Sequence, residues 1–112
     1  MGELKVRNRI WIDGQDGTFL GNGRIQLLEK IHEFGSINDA AKDLKMSYRK
    51  ALSLLNSMNK QAPDPFVIKN TGGAGGGGTQ VTKAGLNAIK KFQKLNDKCQ
   101  SFLEKEVNKI KF

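Results

Sequence analysis

The chain has one cysteine, Cys99, and one histidine, His32, among its 112 residues. A single thiol closes no disulfide framework, and a lone thiol with a lone imidazole builds no Cys/His zinc site within one chain. No metal and no other cofactor is therefore expected. The same scarcity leaves no Cys/His or Ser/His/Asp arrangement and no paired-carboxylate site, so an enzyme is the weakest functional reading. Cys99 is expected to pack as a small hydrophobe. Long apolar runs are missing as well: none approaches the ~18 residues of a transmembrane helix, and the N-terminus lacks the basic, apolar and small-residue order of a signal peptide. Val6 stands where a myristoylation signal needs Ser or Thr. A membrane is thus not an expected partner, and the expected compartment is the cytoplasm. Acidic residues are few, 11 against 19 Lys and Arg, which leaves a formal charge of +8. A basic protein of this kind favours a polyanion, with nucleic acid ahead of membrane. The length suits one domain with a modest core and leaves no room for a second, sensory domain.

What is present is organised around Gly35 to Asn59, which reads as two short helices joined by a tight turn. The first is expected to open at Asn38 as its N-cap and to bury Ala40, Ala41 and Leu44. After the turn at Lys45 and Met46, Ser47 is a second good N-cap, and Ala51, Leu54, Leu55 and Met58 recur on one helical face. That face goes to the core. The opposite face carries Tyr48, Arg49, Lys50, Ser53 and Asn56, side chains of the kinds that read base edges and grip phosphates. A solvated amphipathic hairpin would show the same pattern, and the segments around it decide between the two.

Upstream, Leu4 to Ile12 alternates, with Leu4, Val6, Ile10 and Ile12 on one side and Lys5, Arg7, Arg9 and Trp11 on the other, the pattern of a half-buried strand. Asp13 to Gly17 supplies turn chemistry and Thr18-Phe19-Leu20 returns, giving an N-terminal hairpin over 1–21. The basic side with Trp11 fits a subunit contact better than a nucleic-acid surface. Asn22 is read as the cap of a helix to Phe34, with Ile25, Leu28, Ile31 and Phe34 inward and Gly35 ending it. His32 lies beside this stripe as a surface or boundary residue.

Downstream of the helical core over 22–62, Pro63 and Pro65 stop the chain from continuing as helix, and Phe66 to Asn70 reads as a strand. Thr71 to Thr79, TGGAGGGGT, is a loop almost without side chains, and Gln80-Val81-Thr82 returns as a second strand. Two strands around a loop after such a helix pair make a wing over 66–82. A nucleotide-binding loop is excluded, because no lysine follows Gly78 and no parallel βαβ unit surrounds it. The glycines offer exposed amides and little bulk, which suits approach to a sugar-phosphate backbone. Thr82 should cap a last helix of about 25 residues, or roughly 38 Å, over 83–110. Its stripe of Leu86, Ile89, Phe92, Leu95, Cys99, Phe102, Leu103, Val107 and Ile110 outruns a small core, and such a stripe usually pairs with another chain.

These stretches resemble the winged helix-turn-helix domain of the molybdate-responsive ModE regulators and their short relatives. The likeness rests on Gly35-Ser36-Ile37, Ala40-Ala41-Lys42, Met46 to Ala51, Met58-Asn59 and the TGGxGGGG loop at Thr71 to Gly78. The helix pair is similar to that of LysR-type regulators too, but those lack this wing. The fold class expected is mainly α with small β elements: a winged helix-turn-helix with an N-terminal β-hairpin and a long C-terminal helix. The resemblance implies a homodimer that binds palindromic double-stranded operator DNA. Residues expected at DNA are Ser36, Ser47, Tyr48, Arg49, Lys50, Ser53 and Asn56 in the helix pair, and Lys69, Thr71, Gly75, Gly76, Gly77 and Thr79 in the wing. Residues expected at the dimer contact are Trp11, Leu86, Ile89, Phe92, Leu95, Cys99 and Phe102. Leu52, Lys69 and Ala74 depart from the family's usual tryptophan, arginine and lysine. The family senses molybdate through C-terminal domains not found in this sequence, so molybdate binding is not expected of this chain alone. The expected function is a sequence-specific DNA-binding transcription regulator; the alternative is a winged-helix protein-interaction module whose charge is incidental.

Overall fold

A computed structural model describes residues 4–70 and 78–112. Within them the chain is mixed α/β, with four helices and two small antiparallel sheets. The order is β1 (Trp11–Gly14), β2 (Gly17–Gly21), α1 (Asn22–Phe34), α2 (Ile37–Asp43), α3 (Tyr48–Gln61), β3 (Val67–Lys69), β4 (Thr79–Val81) and α4 (Lys83–Val107). β1 pairs with β2 and β3 with β4.

The hairpin is shorter than the alternation of Leu4 to Ile12 suggests. Its register sets Trp11 opposite Gly21, and from Asn22 the chain winds into α1. Nothing is left opposite residues 4–10, so they form no ladder. They keep the period-two exposure of an extended arm, with Val6, Asn8 and Ile10 half-buried and Lys5, Arg7 and Arg9 exposed. The arm lies on the far half of α4: Gln100 Nε2 donates to Val6 O at 2.7 Å and accepts, through Oε1, from Asn8 Nδ2 at 2.6 Å.

α1 starts one residue earlier than a cap at Asn22 would place it. Gly21 holds the N-cap position without a side-chain bond, and Asn22 is the first helical residue. The helix ends where expected, with Gly35 left-handed at φ 66° and its N–H bonded to Ile31 O at 2.7 Å, a conformation glycine adopts without steric cost. Its buried side chains are Ile25, Leu27, Leu28 and Ile31, whereas Phe34 is 42% exposed beneath the Lys30 amine. The reason is that α1 touches all three other helices as well as β2 and β4. A helix enclosed on several sides needs a wider apolar face than one stripe provides, and Leu27 supplies it.

Leu27, Leu28, Ile31 and Met58 are fully buried at the centre, each removed from water at a gain of about 1.5–3 kcal/mol. Ile37, Ala40 and Ala41 of α2 and Ala51 and Leu55 of α3 close around them, joined by Phe66, Val67, Val81, Ala88, Ile89 and Phe92. The two alanines of α2 let that helix approach closely, as the sequence suggests. No helix of the described residues is long and apolar enough to cross a membrane.

Candidate nucleic-acid interface

The turn between α2 and α3 is held by backbone bonds. Met46 N donates to Ala41 O at 2.9 Å and Lys45 N to Lys42 O at 3.1 Å, while Lys45 takes a left-handed φ of 57°. This reverses the chain within four residues. Side chains then cap both helices. Ser36 Oγ, rather than Asn38, accepts from Asp39 N at 3.1 Å to start α2, and Ser47 Oγ accepts from Lys50 N at 3.0 Å to start α3. Asn38 is an exposed residue of α2's first turn.

α3 divides cleanly. Ala51, Leu55 and Met58 are buried, Leu52 and Leu54 are half-buried, and Tyr48, Arg49, Lys50, Ser53 and Asn56 are all exposed. Arg49, Ser53 and Asn56 follow at i, i+4 and i+7, which places them along one face over roughly 10 Å of helix axis. Arg49 and Lys50 stand in the first turn, at the end nearest the reversal. Lys42 at the end of α2 and Lys45 in the turn, neither of them expected as a site residue from the sequence, are exposed as well.

The electrostatics of this face follow from which charges are already neutralised. Lys30 of α1 bonds Asp43 of α2 at 3.2 Å and Glu33 at 3.3 Å. Those two carboxylates, Asp43 first, hold the Lys30 ammonium above its ordinary range. Lys60 meets Asp16 at 3.8 Å. Lys42, Lys45, Arg49, Lys50 and Lys69 have no ion-pair partner among the described residues. Positive charge is therefore uncompensated where α3 faces solvent, which is what attraction of a polyanion requires. Behind this face Arg24 donates to Ser57 Oγ at 2.9 Å, and burial lowers its guanidinium from the usual value.

β3 is fastened to the C-terminal end of α3 by Asn59, and β4 packs against α1. Lys69 is exposed and opposes half-buried Thr79, whose N–H donates to Gly35 O at 3.0 Å and ties the strand to the end of α1. Thr71, Gly75, Gly76 and Gly77 lie outside the described residues. Two side chains near the C-terminal end of α3 were missed by the sequence reading. Gln61 Nε2 donates to Thr18 O at 3.0 Å, joining α3 to the hairpin, and Asn59 bonds the backbone of Phe66 and Val67. Asn59 is part of the Met58-Asn59 match to the family, though nothing in the sequence names its partners; for Gln61 the clue is its polarity just ahead of Pro63 and Pro65, where the chain must turn.

The dimer-contact residues separate into two groups. Ile89 and Phe92 are buried in the subunit's own core, and Leu86 and Cys99 are half-buried. Trp11, Leu95 and Phe102 are 60%, 46% and 63% exposed. Only these last three offer a large free apolar surface. No group of three or more metal-ligating side chains occurs among the described residues.

No family model matches the chain. It is 41% identical over 97 residues to the molybdenum transport protein ModE of Azotobacter vinelandii, covering 87% of this chain and 36% of that protein. It is 47% identical over 68 residues to the transcriptional regulator ModE of Haemophilus influenzae, covering 61% and 27%. With the DNA-binding transcriptional dual regulator ModE of Escherichia coli K12 it shares 38% over 92 residues, covering 82% and 32%. The chain spans about a third of the length of the curated relatives it matches.

Proposed function

We propose that this relative of the ModE proteins is a sequence-specific double-stranded DNA-binding transcription regulator, in which α2, the turn and α3 act as a helix-turn-helix and β3 with β4 as a wing. The observation that carries the reading is the division of α3. One face is buried as Ala51, Leu55 and Met58, and the other presents Tyr48, Arg49, Lys50, Ser53 and Asn56 with their positive charge unpaired among the described residues. Arg is suited to bidentate contact with guanine, and Ser and Asn to base edges or phosphates. The names of the relatives, one of them a DNA-binding dual regulator and two of them regulators of transcription, support the same direction.

Within this reading Lys69 and Thr79 flank the recognition face, and Ser36 and Ser47 serve chiefly to begin α2 and α3, since each hydroxyl is engaged there. Thr71 and Gly75 to Gly77 are proposed to bring wing backbone to the sugar-phosphate chain. Operator binding is by a homodimer, with Trp11, Leu95 and Phe102 as its exposed apolar contacts. Molybdate is not proposed as a ligand of this chain alone.

The test is binding to a random-sequence duplex across several salt concentrations. A DNA binder loses affinity steeply as salt rises, because phosphate contacts release counterions. Weak binding at every salt concentration would instead favour an interaction module built on α4 and the arm.

A further inference from the structure

β3 has three residues and pairs with β4 along one edge only. A two-stranded ribbon this short takes its orientation from what fastens it: Val67 and Val81 are buried in the core, and Thr79 N is bonded to Gly35 O. Among the described residues, the other side of β3 is hydrogen-bonded by one side chain. Asn59, in the last turn of α3, accepts at Oδ1 from Phe66 N at 2.8 Å and Val67 N at 3.3 Å, and donates from Nδ2 to Val67 O at 3.0 Å. The carboxamide thus meets both the N–H and the C=O of Val67, as the backbone of a neighbouring strand would. From the opposite direction α4 takes hold of the same segment. Thr82 N donates to Phe66 O at 2.9 Å and Thr82 Oγ1 to Pro65 O at 2.6 Å. Gly85 lies so near that a Cβ there would overlap Phe66 O.

We propose that Asn59 is a positioning residue for DNA binding: it sets the angle between the reading face of α3 and the β3–β4 ribbon, so that Arg49 and Lys69 reach one duplex together. This rests on the DNA-binding reading above. Asn59 is half-buried, three residues beyond the exposed Asn56, and faces the strand rather than the duplex. Its three bonds are the side-chain link between recognition helix and wing among the described residues. Gln61, two residues further, makes a comparable link to a different place, the hairpin carbonyl of Thr18. The pair therefore provides its own control, since both side chains tie down the same end of α3 and only one of them touches the wing.

The full chain and its Asn59→Ala and Gln61→Ala variants are titrated onto a random-sequence duplex of about 30 base pairs at several salt concentrations, well below each melting temperature. Asn59→Ala is expected to bind at least about tenfold more weakly and with a salt slope shallower by about one phosphate contact. Gln61→Ala is expected to keep the parent's slope and affinity even where it melts lower. If Asn59→Ala does not fold, Asn59→Asp and Gln61→Glu ask the same question. The aspartate keeps the shape and both acceptor bonds, each variant adds one negative charge, and the larger loss is expected at position 59. Equal affinities and slopes for the position 59 and position 61 variants overturn the proposal while leaving DNA binding intact. A parent protein without salt-dependent binding overturns the DNA reading itself.

Discussion

Arg49 and Lys50 are neighbours with different expected tasks. Arg49 continues the row of Ser53 and Asn56 on the exposed face of α3, where a guanidinium can take two acceptors of one guanine. Arg49→Ala should cost on the order of 1–3 kcal/mol on the true operator and much less on random duplex. An equal loss on both sequences would reassign it to phosphate. Lys50, set aside from that row, should behave as a phosphate contact: its alanine variant lowers affinity for every sequence and flattens the salt slope by about one. A glycine gives the sharpest stability test. Gly85 stands where α4 crosses Phe66, and an added methyl would collide with the Phe66 carbonyl and press on Val81. Although alanine favours a helix by about 1 kcal/mol over glycine, overpacking typically costs 1–3 kcal/mol, and rigid backbone leaves little room to relax. Gly85→Ala should therefore lower the melting temperature. A rise would mean that the β3 segment yields easily.

The elements differ in how far local chemistry defines them. α3 was legible in the sequence because an N-cap, an apolar period and a stop coincide in it, and α4 because a cap opens a long apolar period, although with no Gly or Pro to stop it the expected end at residue 110 overshoots the observed one at Val107. Ser47 and Thr82 cap as expected, and α4 runs Lys83–Val107. α2 is harder to read, since it has seven residues and two candidate caps. Ser36 outranks Asn38 because it precedes buried Ile37, so starting the helix there anchors its first residue in the core. Ser36→Ala should accordingly destabilise by about 1 kcal/mol and Asn38→Ala by much less, as read from chemical denaturation. Comparable losses at the two sites would return Asn38 to a capping role. The arm over residues 4–10 shows the limit of pattern reading. Alternation reports which side chains face inward, but a ladder needs a second chain segment alongside, and beyond Gly21 that segment has become helix. The positions of Asn59 and Gln61 were hidden for a related reason, as their partners lie on elements whose approach only the packed structure defines.

At the scale of the molecule, the described residues extend 63 Å by 29 Å by 22 Å. α4 contributes much of that length: its first turns are built into the core through Gly85, Ala88, Ile89 and Phe92, whereas its far half carries the arm, bonded at Gln100. Leu95 and Phe102 are left exposed there, and Trp11 stands exposed on β1. A single helix and ribbon read few base pairs, so useful specificity generally requires a second copy, with recognition helices about 34 Å apart on one side of the duplex. The exposed stretch of α4 is the expected contact. Leu95→Glu should then bury an unpaired carboxylate and split the dimer without unfolding the subunit, since Leu95 is nearly half exposed in one chain. Phe92→Glu, only 3% exposed at the parent residue, should unfold the subunit instead. Sedimentation of the Leu95 variant, combined with its binding to whole and half operators, separates the possibilities. A folded monomer with equal affinity for both sites is the expected result. A Leu95 variant that remains dimeric would move the contact to another face, and a parent protein that sediments as a monomer would leave the exposed end of α4 without a role in self-association.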